Sequence, residues 1–400
     1  MALETVDRVQ TRLSKIALWN LGFRPFFLGA ALFAITSIAL WMGVYAFQLP
    51  LPVEGISILQ WHAHEMIYGF TMAVIAGFLL TAVKNWTGVQ TLCGFSLLGL
   101  FTLWVAARIL FLFGTRLIVI AAIPDMLFML SLIIAVTSPV IQVKQWKQMG
   151  IMAKLLLLAI GNGCFYLGVA GVMTNGVYFG IYSGLFLIVG LILTMGRRLI
   201  PFFVDVGVGY PVKLLNSKWL DLSSLLLFLA FFIVELFINQ RLTTALLSAG
   251  LFIITSIRLI GWYTIGIWKQ PLLWSLFAAF LWIDIGFLLM ALLPLFNLSK
   301  LLAVHAFSVG GIGILTLSMM ARVSLAHTGR NVKKLPGAIT IALVVLMVGS
   351  IFRVGLPLIA PNHYLIWILV SQILWIAAFL IFVIVYATML TKPRVDGQLG

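Results

Sequence analysis

Long apolar stretches, separated by short polar connections, follow one another along nearly the whole chain. Each holds roughly 20 apolar residues, the length an α-helix needs to cross the hydrocarbon core of a bilayer. Twelve can be delimited in the 400 residues. Their approximate bounds are 23–47, 61–88, 91–113, 117–137, 151–173, a sixth stretch ending at 194–203, 219–237, 242–260, 271–295, 300–323, 335–354 and 363–390. The pattern predicts an all-α polytopic membrane protein of about 12 transmembrane helices, forming a single membrane domain over residues 1–400.

The second apolar stretch carries the most unusual polar residues. It begins WHAHEMIYGF, so His62, His64 and Glu65 lie in its first turns, and the whole chain has only five histidines. Ionisable side chains are costly inside a membrane, and they commonly mark a ligand site, a metal site or a proton path. We therefore take this stretch as the first place to look for chemistry.

Composition and charge exclude a soluble protein and a nucleic-acid partner. Hydrophobic residues make up 63% of the chain and charged residues 9%, with a mean hydropathy of +1.18. The net charge of +15 follows the topology: if the N-terminus is cytoplasmic, 20 of the 25 basic residues fall at or near the cytoplasmic side. This positive-inside bias places both termini in the cytoplasm. The basic residues assigned to the other side are Arg108, Arg116, Arg241, Lys300 and Arg353.

The N-terminal segment and the cysteines add two expectations. Residues 1–22 are basic and mildly amphipathic and lack the features of a cleaved signal peptide, so we expect a cytoplasmic segment. Cys93 and Cys164 fall within the third and fifth predicted spans. No disulfide framework is indicated, and a metal site using both would require their helices to meet.

Two segments of 25 residues form an internal repeat. One runs from His64 to Gly88 and the other from His305 to Gly329. The identical pairs are His64 with His305, Gly69 with Gly310, Thr87 with Thr328, and Gly88 with Gly329. A fainter likeness in the sixth span makes a division into three four-helix units one way to group the spans.

Helix geometry limits how the histidines can combine. His62, His64 and His305 are predicted at the outer ends of two inward-running helices, whereas His327 lies about 33 Å further along its helix, at the opposite face. Residues two apart differ by about 200° around a helix, so His62 and His64 do not face one metal ion. The arrangement favours His64 and His305 on either side of an iron porphyrin, with His62 facing a neighbouring centre.

Glycines and arginines can complete a haem site. Four glycines allow close approach to a flat ring, and Arg108 and Arg353 present planar guanidinium groups to propionates. The alternative, which the sequence leaves open, is that both arginines lie at the headgroup interface. The four glycines are Gly69, Gly310, Gly311 and Gly313.

Other polar residues have less specific interpretations. Arg24 either reaches lipid phosphate or holds an internal anion. Glu65, Asp125 and Asp284 are acids at membrane depth and are candidates for a proton path. His363 is an interfacial residue or completes a copper site, while Met319 and Met320 are more typical of packing. The seventh and eighth spans contain no histidine and are interpreted as lipid-facing or packing helices.

Several motifs in a fixed order resemble the NnrS family of bacterial inner-membrane proteins. They are WHAHEMIYGF with AVIAGFLLTAVKNWTG, the opening FRPFFLGA, the segment GRRLIPFF and the closing ARVSLAHTGR. Together they cover essentially the whole chain. One departure is Lys84, where we expect an uncharged residue, which puts the turn after this helix in doubt.

The resemblance implies a multi-pass protein of the bacterial inner membrane that contains haem, which we expect to be haem b, and copper, and that acts in the response to nitric oxide and nitrosative stress. The histidine motifs carry over to His62, His64, His305 and His327 as metal ligands. The arginines that match family motifs are Arg24, Arg197, Arg198, Arg322 and Arg330.

A looser likeness connects the chain to the catalytic subunit of haem-copper oxidases and nitric oxide reductases. Those proteins have twelve spans and hold a haem between histidines of spans 2 and 10, a pair that His64 and His305 match. This chain lacks the further histidines on spans 6 and 7, so their dinuclear centre is not expected here.

These expectations lead to one functional hypothesis and two alternatives. The first is a haem- and copper-binding protein that handles nitric oxide, with nitric oxide reductase-like or quinol-linked oxidoreductase activity and protons supplied through Glu65 or Asp125. The second is a transporter of metal, haem or a small anion, which twelve spans and repeats would also suit. The third is a non-catalytic nitric oxide sensor or scavenger. The sequence leaves the oligomeric state open.

Overall fold

A computed structural model describes residues 16–50, 56–113 and 115–398, with the side chains of residues 115 and 116 also outside the description. Most of the predicted N-terminal segment, including Arg8, Arg12 and Lys15, therefore lies outside the described residues, as does the Arg116 side chain.

Twelve helices in the described part of the chain are long and apolar enough to cross a membrane, and no strand occurs there. The all-α polytopic prediction is confirmed. In chain order the helices are α1 Phe23–Phe47, α2 Ile58–Thr87, α3 Gly94–Phe111, α4 Leu117–Gln142, α5 Trp146–Val169, α6 Gly176–Gly207, α7 Lys218–Ile238, α8 Arg241–Trp262, α9 Pro271–Phe296, α10 Lys300–His327, α11 Gly337–Ile359 and α12 Pro361–Thr391.

Two predicted boundaries are wrong for identifiable reasons. Cys93 does not lie within α3; it precedes the helix in extended conformation and is exposed. Helix α10 continues four residues past its predicted end, to His327, and stops before Gly329 (φ +78°). The turn after α2 is ordinary despite Lys84, because Gly88 adopts the left-handed conformation (φ +72°) that commonly ends a helix.

The helices group into two compact units, which are described separately below. Unit 1 contains the described residues of Met1–Gly184, Met320–Val332 and Phe379–Gly400, and unit 2 contains Leu185–Met319 and Lys333–Ala378. Neither unit is a run of four consecutive spans, so the three four-helix units considered above have no counterpart in this grouping.

In unit 1, α1 packs on α2, α3 on α4, α4 on α5, and α2 also on α4. In unit 2, α8 packs on both α7 and α9, and α9 and α11 both pack on the first half of α10. Large buried side chains such as Trp61, Phe165 and Trp262 fill the interiors of these contacts, while much of the remaining apolar surface is exposed, as a lipid-facing surface requires.

In the described part of the chain, four helices contain a π-helical segment, and each segment contains or directly follows an ionisable residue. The segments are Glu65–Thr71 in α2, Val234–Ile238 in α7, Ala306–Gly313 in α10 and Ile351–Gly355 in α11. Such segments are rare and occur frequently at functional sites.

The repeat seen in the sequence has a structural counterpart in α2 and α10. His64 and His305 each immediately precede a π-helical segment, and Gly88 and Gly329 both follow the helix with positive φ. Thr87 and Thr328 each donate a 2.7 Å hydrogen bond to the carbonyl four residues earlier. The two helices therefore share an internal design that four sequence identities only suggested.

Candidate functional site

The two histidines of α2 lie on different faces, in agreement with their spacing. His62 stacks on Trp41 of α1, with ring centroids 4.7 Å apart and planes 11° apart. His64 is fully buried and points towards α5. They therefore belong to separate environments.

A buried ion-pair network begins at Glu65, the residue after His64. Arg108 of α3 donates from Nη1 to Glu65 Oε1 at 2.5 Å. Arg108 Nη2 lies 2.6 Å from Asp125 Oδ1 of α4, an ion pair without the alignment of a hydrogen bond. All three side chains are at most 4% exposed. One guanidinium thus connects two carboxylates that the sequence predicted at the same end of the bundle.

Two residues of α5 complete the network. Asn162 donates from Nδ2 to Asp125 Oδ2 at 2.9 Å, and the Tyr166 hydroxyl donates to the same oxygen at 2.9 Å. The other side of the Asn162 amide, Oδ1, lies 2.9 Å from His64 Nε2. We call these six residues the polar cluster: His64, Glu65, Arg108, Asp125, Asn162 and Tyr166.

The hydrogen-bond pattern fixes the charge of the polar cluster. Asn162 must turn its NH₂ towards Asp125, so its oxygen faces His64 Nε2, and His64 Nδ1 faces Glu65 Oε1 at 3.0 Å. Both ring nitrogens face oxygen atoms, so the ring carries one proton on Nε2, and a second proton lies between Nδ1 and Glu65 Oε1. With Arg108 and Asp125 forming an ion pair, the polar cluster then sums to zero wherever that second proton lies, the arrangement that best limits the cost of burial in a membrane.

Aromatic rings pack around His64. Phe111 stacks on it with centroids 4.5 Å apart, and the Phe165 centroid is 4.2 Å away. The Phe111 and Phe165 centroids are 6.1 Å from each other, so these two rings lie at about a right angle around the imidazole and not on its opposite faces. Tyr68 and Tyr166 approach at 5.1 and 5.5 Å, so the imidazole lies in largely aromatic surroundings.

The polar cluster lies near one end of its four helices. His64 is six residues from the start of α2 and Asp125 eight residues from the start of α4, about 9 and 12 Å at the helical rise. Arg108 and Tyr166 are each three residues from the ends of α3 and α5. A proton entering from that end has a short distance to travel.

Sequence reasoning missed Asn162 and Tyr166. Asn162 is the only asparagine inside an α5 segment that is otherwise apolar around it, and a fully buried amide needs partners. An asparagine within an apolar span, in the sequence GNGCFY, was the one feature that pointed to a buried polar contact on this helix.

In unit 2, His305 has a different environment. Its Nδ1 lies 2.6 Å from the Leu301 carbonyl, and its Nε2 accepts from Arg353 Nη2 at 2.9 Å. Arg353 also reaches the Tyr364 hydroxyl at 3.5 Å. His305 is therefore a neutral imidazole. Its Nδ1 carries the proton and donates it to the backbone carbonyl, and the lone pair of Nε2 faces the Arg353 guanidinium.

The glycines predicted to leave room for a flat ring are covered by side chains. A Cβ at Gly310 would come within 2.4 Å of Trp282, one at Gly311 within 2.6 Å of Ile283, and one at Gly313 within 2.6 Å of Trp375. In unit 1, a Cβ at Gly69 would come within 2.6 Å of Phe33. These glycines serve close helix packing in this structure.

The remaining family-motif residues of unit 1 lie at the opposite end of α10. Arg24 is fully buried and donates to the Leu390 and Lys392 carbonyls at 2.9 and 2.8 Å, so it caps α12 and does not reach out to lipid phosphate. His327 Nε2 lies 3.4 Å from Asn85 Nδ2. Arg322 is half-buried, and Arg330 reaches the Thr328 carbonyl at 3.4 Å.

Helices α7 and α8 are largely lipid-facing, as predicted, and they also carry ion pairs. Asp221 of α7 pairs with Arg197 at 2.8 Å and with Arg258 of α8 at 2.9 Å, and the neighbouring Arg198 is exposed. Glu235, on the π-helical segment of α7, is buried and paired with Lys300.

The predicted metal ligands differ in how well their surroundings suit a metal ion. Among the described residues, no three or more His, Cys, Asp or Glu side chains are grouped as a metal ion would require. His64 fits an iron ligand poorly, since both of its ring nitrogens are engaged in hydrogen bonds. His305 fits better: a protein-bound metal usually sits on one nitrogen while the other donates to a carbonyl, as Nδ1 does here, and its Nε2 faces Arg353. The described contacts therefore suit a metal ion on His305 better than one on His64, provided that Arg353 turns away from Nε2.

Comparison with known families decides the relationship. The family model described as NnrS protein matches residues 17–394, nearly the whole chain. The chain belongs to the NnrS family. NnrS membership makes it a membrane protein of the nitric oxide response. None of the curated proteins compared with the chain matches it.

Proposed function

We propose that this NnrS protein is a haem-binding redox protein that handles nitric oxide, with His305 as the protein ligand of the iron and the polar cluster as the place where protons are held. The observation that carries the proposal is the closed, neutral set of two cations and two carboxylates buried in unit 1. Reduction of nitric oxide consumes protons, and a membrane enzyme needs buried groups that can pass them.

The ligand role of His305 is supported by its tautomer. Nδ1 donates to the Leu301 carbonyl, so the lone pair lies on Nε2. That lone pair is available to bind iron once Arg353 turns to another acceptor. Arg353 would then hold a haem propionate through its planar fork. Haem bound there would supply one-electron chemistry and an open coordination position for nitric oxide.

The proton-holding role rests on atoms within the polar cluster. His64 Nδ1 lies 3.0 Å from Glu65 Oε1, so the proton between them can move from one group to the other without changing the net charge. Arg108 keeps Glu65 oriented, and the Asn162 amide keeps the ring orientation through Nε2. The enclosing rings prevent the proton from exchanging freely with water.

Optical spectra of three histidine variants test the ligand assignment. The purified protein is expected to show a Soret band, retained in His64→Gln and in the exposed control His363→Ala, and lost in His305→Ala. Monodisperse elution of each variant controls for folding. A wild-type protein with no Soret band and none after haem addition, or a band lost only in His64→Gln, contradicts the proposal.

Nitric oxide consumption with a quinol donor tests the redox role. Steady consumption by the wild type, reduced in Glu65→Gln while the Soret band is retained, supports the proposal. Binding without turnover indicates a sensor or scavenger, and uptake of metal, haem or an anion into vesicles without turnover indicates a transporter. Copper stays a proposal from the family resemblance, tested by metal analysis of the same preparations.

A further inference from the structure

Asp284 is a buried acid in unit 2 that the proposed function does not use. It lies 13 residues after the start of α9 and 12 before its end, so it occupies the middle of a membrane-spanning helix. The residue is only 3% exposed. A carboxylate at this depth has the largest desolvation cost that a membrane imposes.

The contacts of Asp284 lack a compensating charge. Ser256 of α8 donates to Oδ2 at 2.6 Å, and within the described residues Oδ1 is buried without a hydrogen-bond partner. No basic side chain in the described part of the chain forms an ion pair with it. Helices α6 and α7 also pack against α9, through Phe280 and Phe287. The ionisable groups of unit 2 on the elements packed against α9 are Arg197, Arg198, Asp205, Asp221, Glu235, Arg241, Arg258, Lys269, Lys300, His305 and Arg353.

Asp125 shows what an ionised acid in this protein requires. It has the Arg108 guanidinium on one oxygen and two hydrogen-bond donors on the other. Asp284 has one hydroxyl in place of all these groups. An acid with so little compensation remains in its neutral form in an apolar interior.

Helix α8 offers a line of hydroxyl groups that leads to Asp284. Thr244, Ser248 and Ser256 occupy positions spaced by four and eight residues, so they fall within about 120° of the helix circumference. Thr244 and Ser248 are at most 5% exposed, and Ser248 donates to the Thr244 carbonyl at 2.7 Å. From Thr244 to Ser256 these hydroxyl groups cover about 18 Å of the membrane depth, and about 12 Å of it, between Ser248 and Ser256, requires water to carry a proton.

We propose that Asp284 is a proton-binding carboxyl at the centre of unit 2, neutral at rest, that exchanges its proton along the hydroxyl groups of α8 and water molecules between them. The site is independent of the haem assignment and of the polar cluster in unit 1. It gives unit 2 a proton-binding group of its own.

Labelling with dicyclohexylcarbodiimide tests the neutral form. The reagent partitions into membranes and adds to a protonated carboxyl, with the acid proton passing to the carbodiimide nitrogen and no group leaving. The full-length protein in liposomes is expected to gain one adduct on the peptide containing Asp284, to lose it in Asp284→Asn, and to show none on Asp125. Labelling is expected to fall as the pH rises.

Three outcomes overturn the proposal. An unmodified Asp284 under conditions that label other membrane carboxyls shows that the acid is not protonated and accessible. Equal labelling of Asp125 shows that the difference in charge partners does not matter. Protection by Na⁺ at constant pH identifies a cation site instead.

Infrared spectroscopy tests the exchange path without relying on a folded aspartate variant. The wild type is expected to show the C=O stretching band of a protonated carboxyl. This band is expected to shift when the protein is transferred to D₂O. Its shift is expected to be slower in Ser248→Ala than in Thr36→Ala, a control for hydroxyl loss on the exposed face of α1. Equal rates in the two variants overturn the path along α8.

Discussion

Replacing Arg108 with methionine is the sharpest test of charge balance in the polar cluster. The guanidinium contacts Glu65 at 2.5 Å and Asp125 at 2.6 Å, and all three side chains are buried. Arg108→Met leaves two carboxylates with one imidazolium, a net charge of −1. Adding Asp125→Asn removes one carboxylate, so the double variant returns to a sum of zero.

The magnitude follows from the contacts. Each attraction is worth about 4 kcal/mol at an effective dielectric constant of about 20, if the charge centres of the two planar groups are about 4 Å apart. The several kcal/mol of guanidinium desolvation offset part of the sum. Arg108→Met should therefore lower the free energy of unfolding by about 3–5 kcal/mol. The double variant should recover part of that loss, with a coupling of roughly 1–3 kcal/mol.

Detergent-denaturant titration of purified protein measures these differences. Arg197→Met is the matched control, since Arg197 pairs with Asp221 at 2.8 Å but is 32% exposed, and its loss should cost no more than about 1 kcal/mol. A double variant that is less stable than Arg108→Met alone would refute the charge-balance argument, as would equal losses for Arg108→Met and Arg197→Met.

Three further predictions follow from single contacts. Tyr166→Phe removes one donor from Asp125 and should cost about 1.5–3 kcal/mol in the same titration, while Tyr45→Phe, on the half-exposed end of α1, should be nearly neutral. Gly168→Ala would place a Cβ 2.3 Å from the Val177 backbone nitrogen and should destabilise the α5–α6 contact. The control Gly99→Ala, whose Cβ would have nothing within 4 Å, should leave stability unchanged. Thermal unfolding of the two variants measures the difference. The hydrogen bond from Arg394 lowers the pKa of Asp396 to about 2. The small stabilisation that this ion pair gives to the C-terminal segment is therefore complete above the unfolded pKa near 3.9 and is lost as the pH falls through 2. Limited proteolysis across that range should cleave the wild type more slowly than Asp396→Asn at the upper end and at the same rate at the lower end.

The sequence predicted which residues are unusual better than it predicted what they contact. Apolar length predicted all twelve spans, and charge counting placed His64, Arg108 and Asp125 at the same end of their helices. Their proximity was thus predictable. Their pairing was not, because Arg108 suits a haem propionate or a carboxylate side chain equally well, and only the packing of α3 on α4 selects between them.

Two features had no adequate sequence signal. Asn162 lies in an apolar helix where no periodicity marks it, and its importance appears only when Asp125 and His64 are found on either side of its amide. The glycines of α10 were expected to allow close approach of a flat ring, and in this structure the side chains of Trp282 and Trp375 pack against Gly310 and Gly313. Sequence alone does not show which group approaches a glycine.

The central claim is that His64 belongs to a neutral hydrogen-bonded cluster and does not bind metal. Solid-state ¹⁵N NMR of histidine-labelled protein in liposomes, with the His64 signal assigned by its absence in His64→Gln, tests it directly. We expect Nε2 of His64 to show the shift of a protonated nitrogen, and Nδ1 to show the shift of a nitrogen hydrogen-bonded to Glu65. A metal-bound ring nitrogen on His64, or an Nε2 without a proton, would contradict the account.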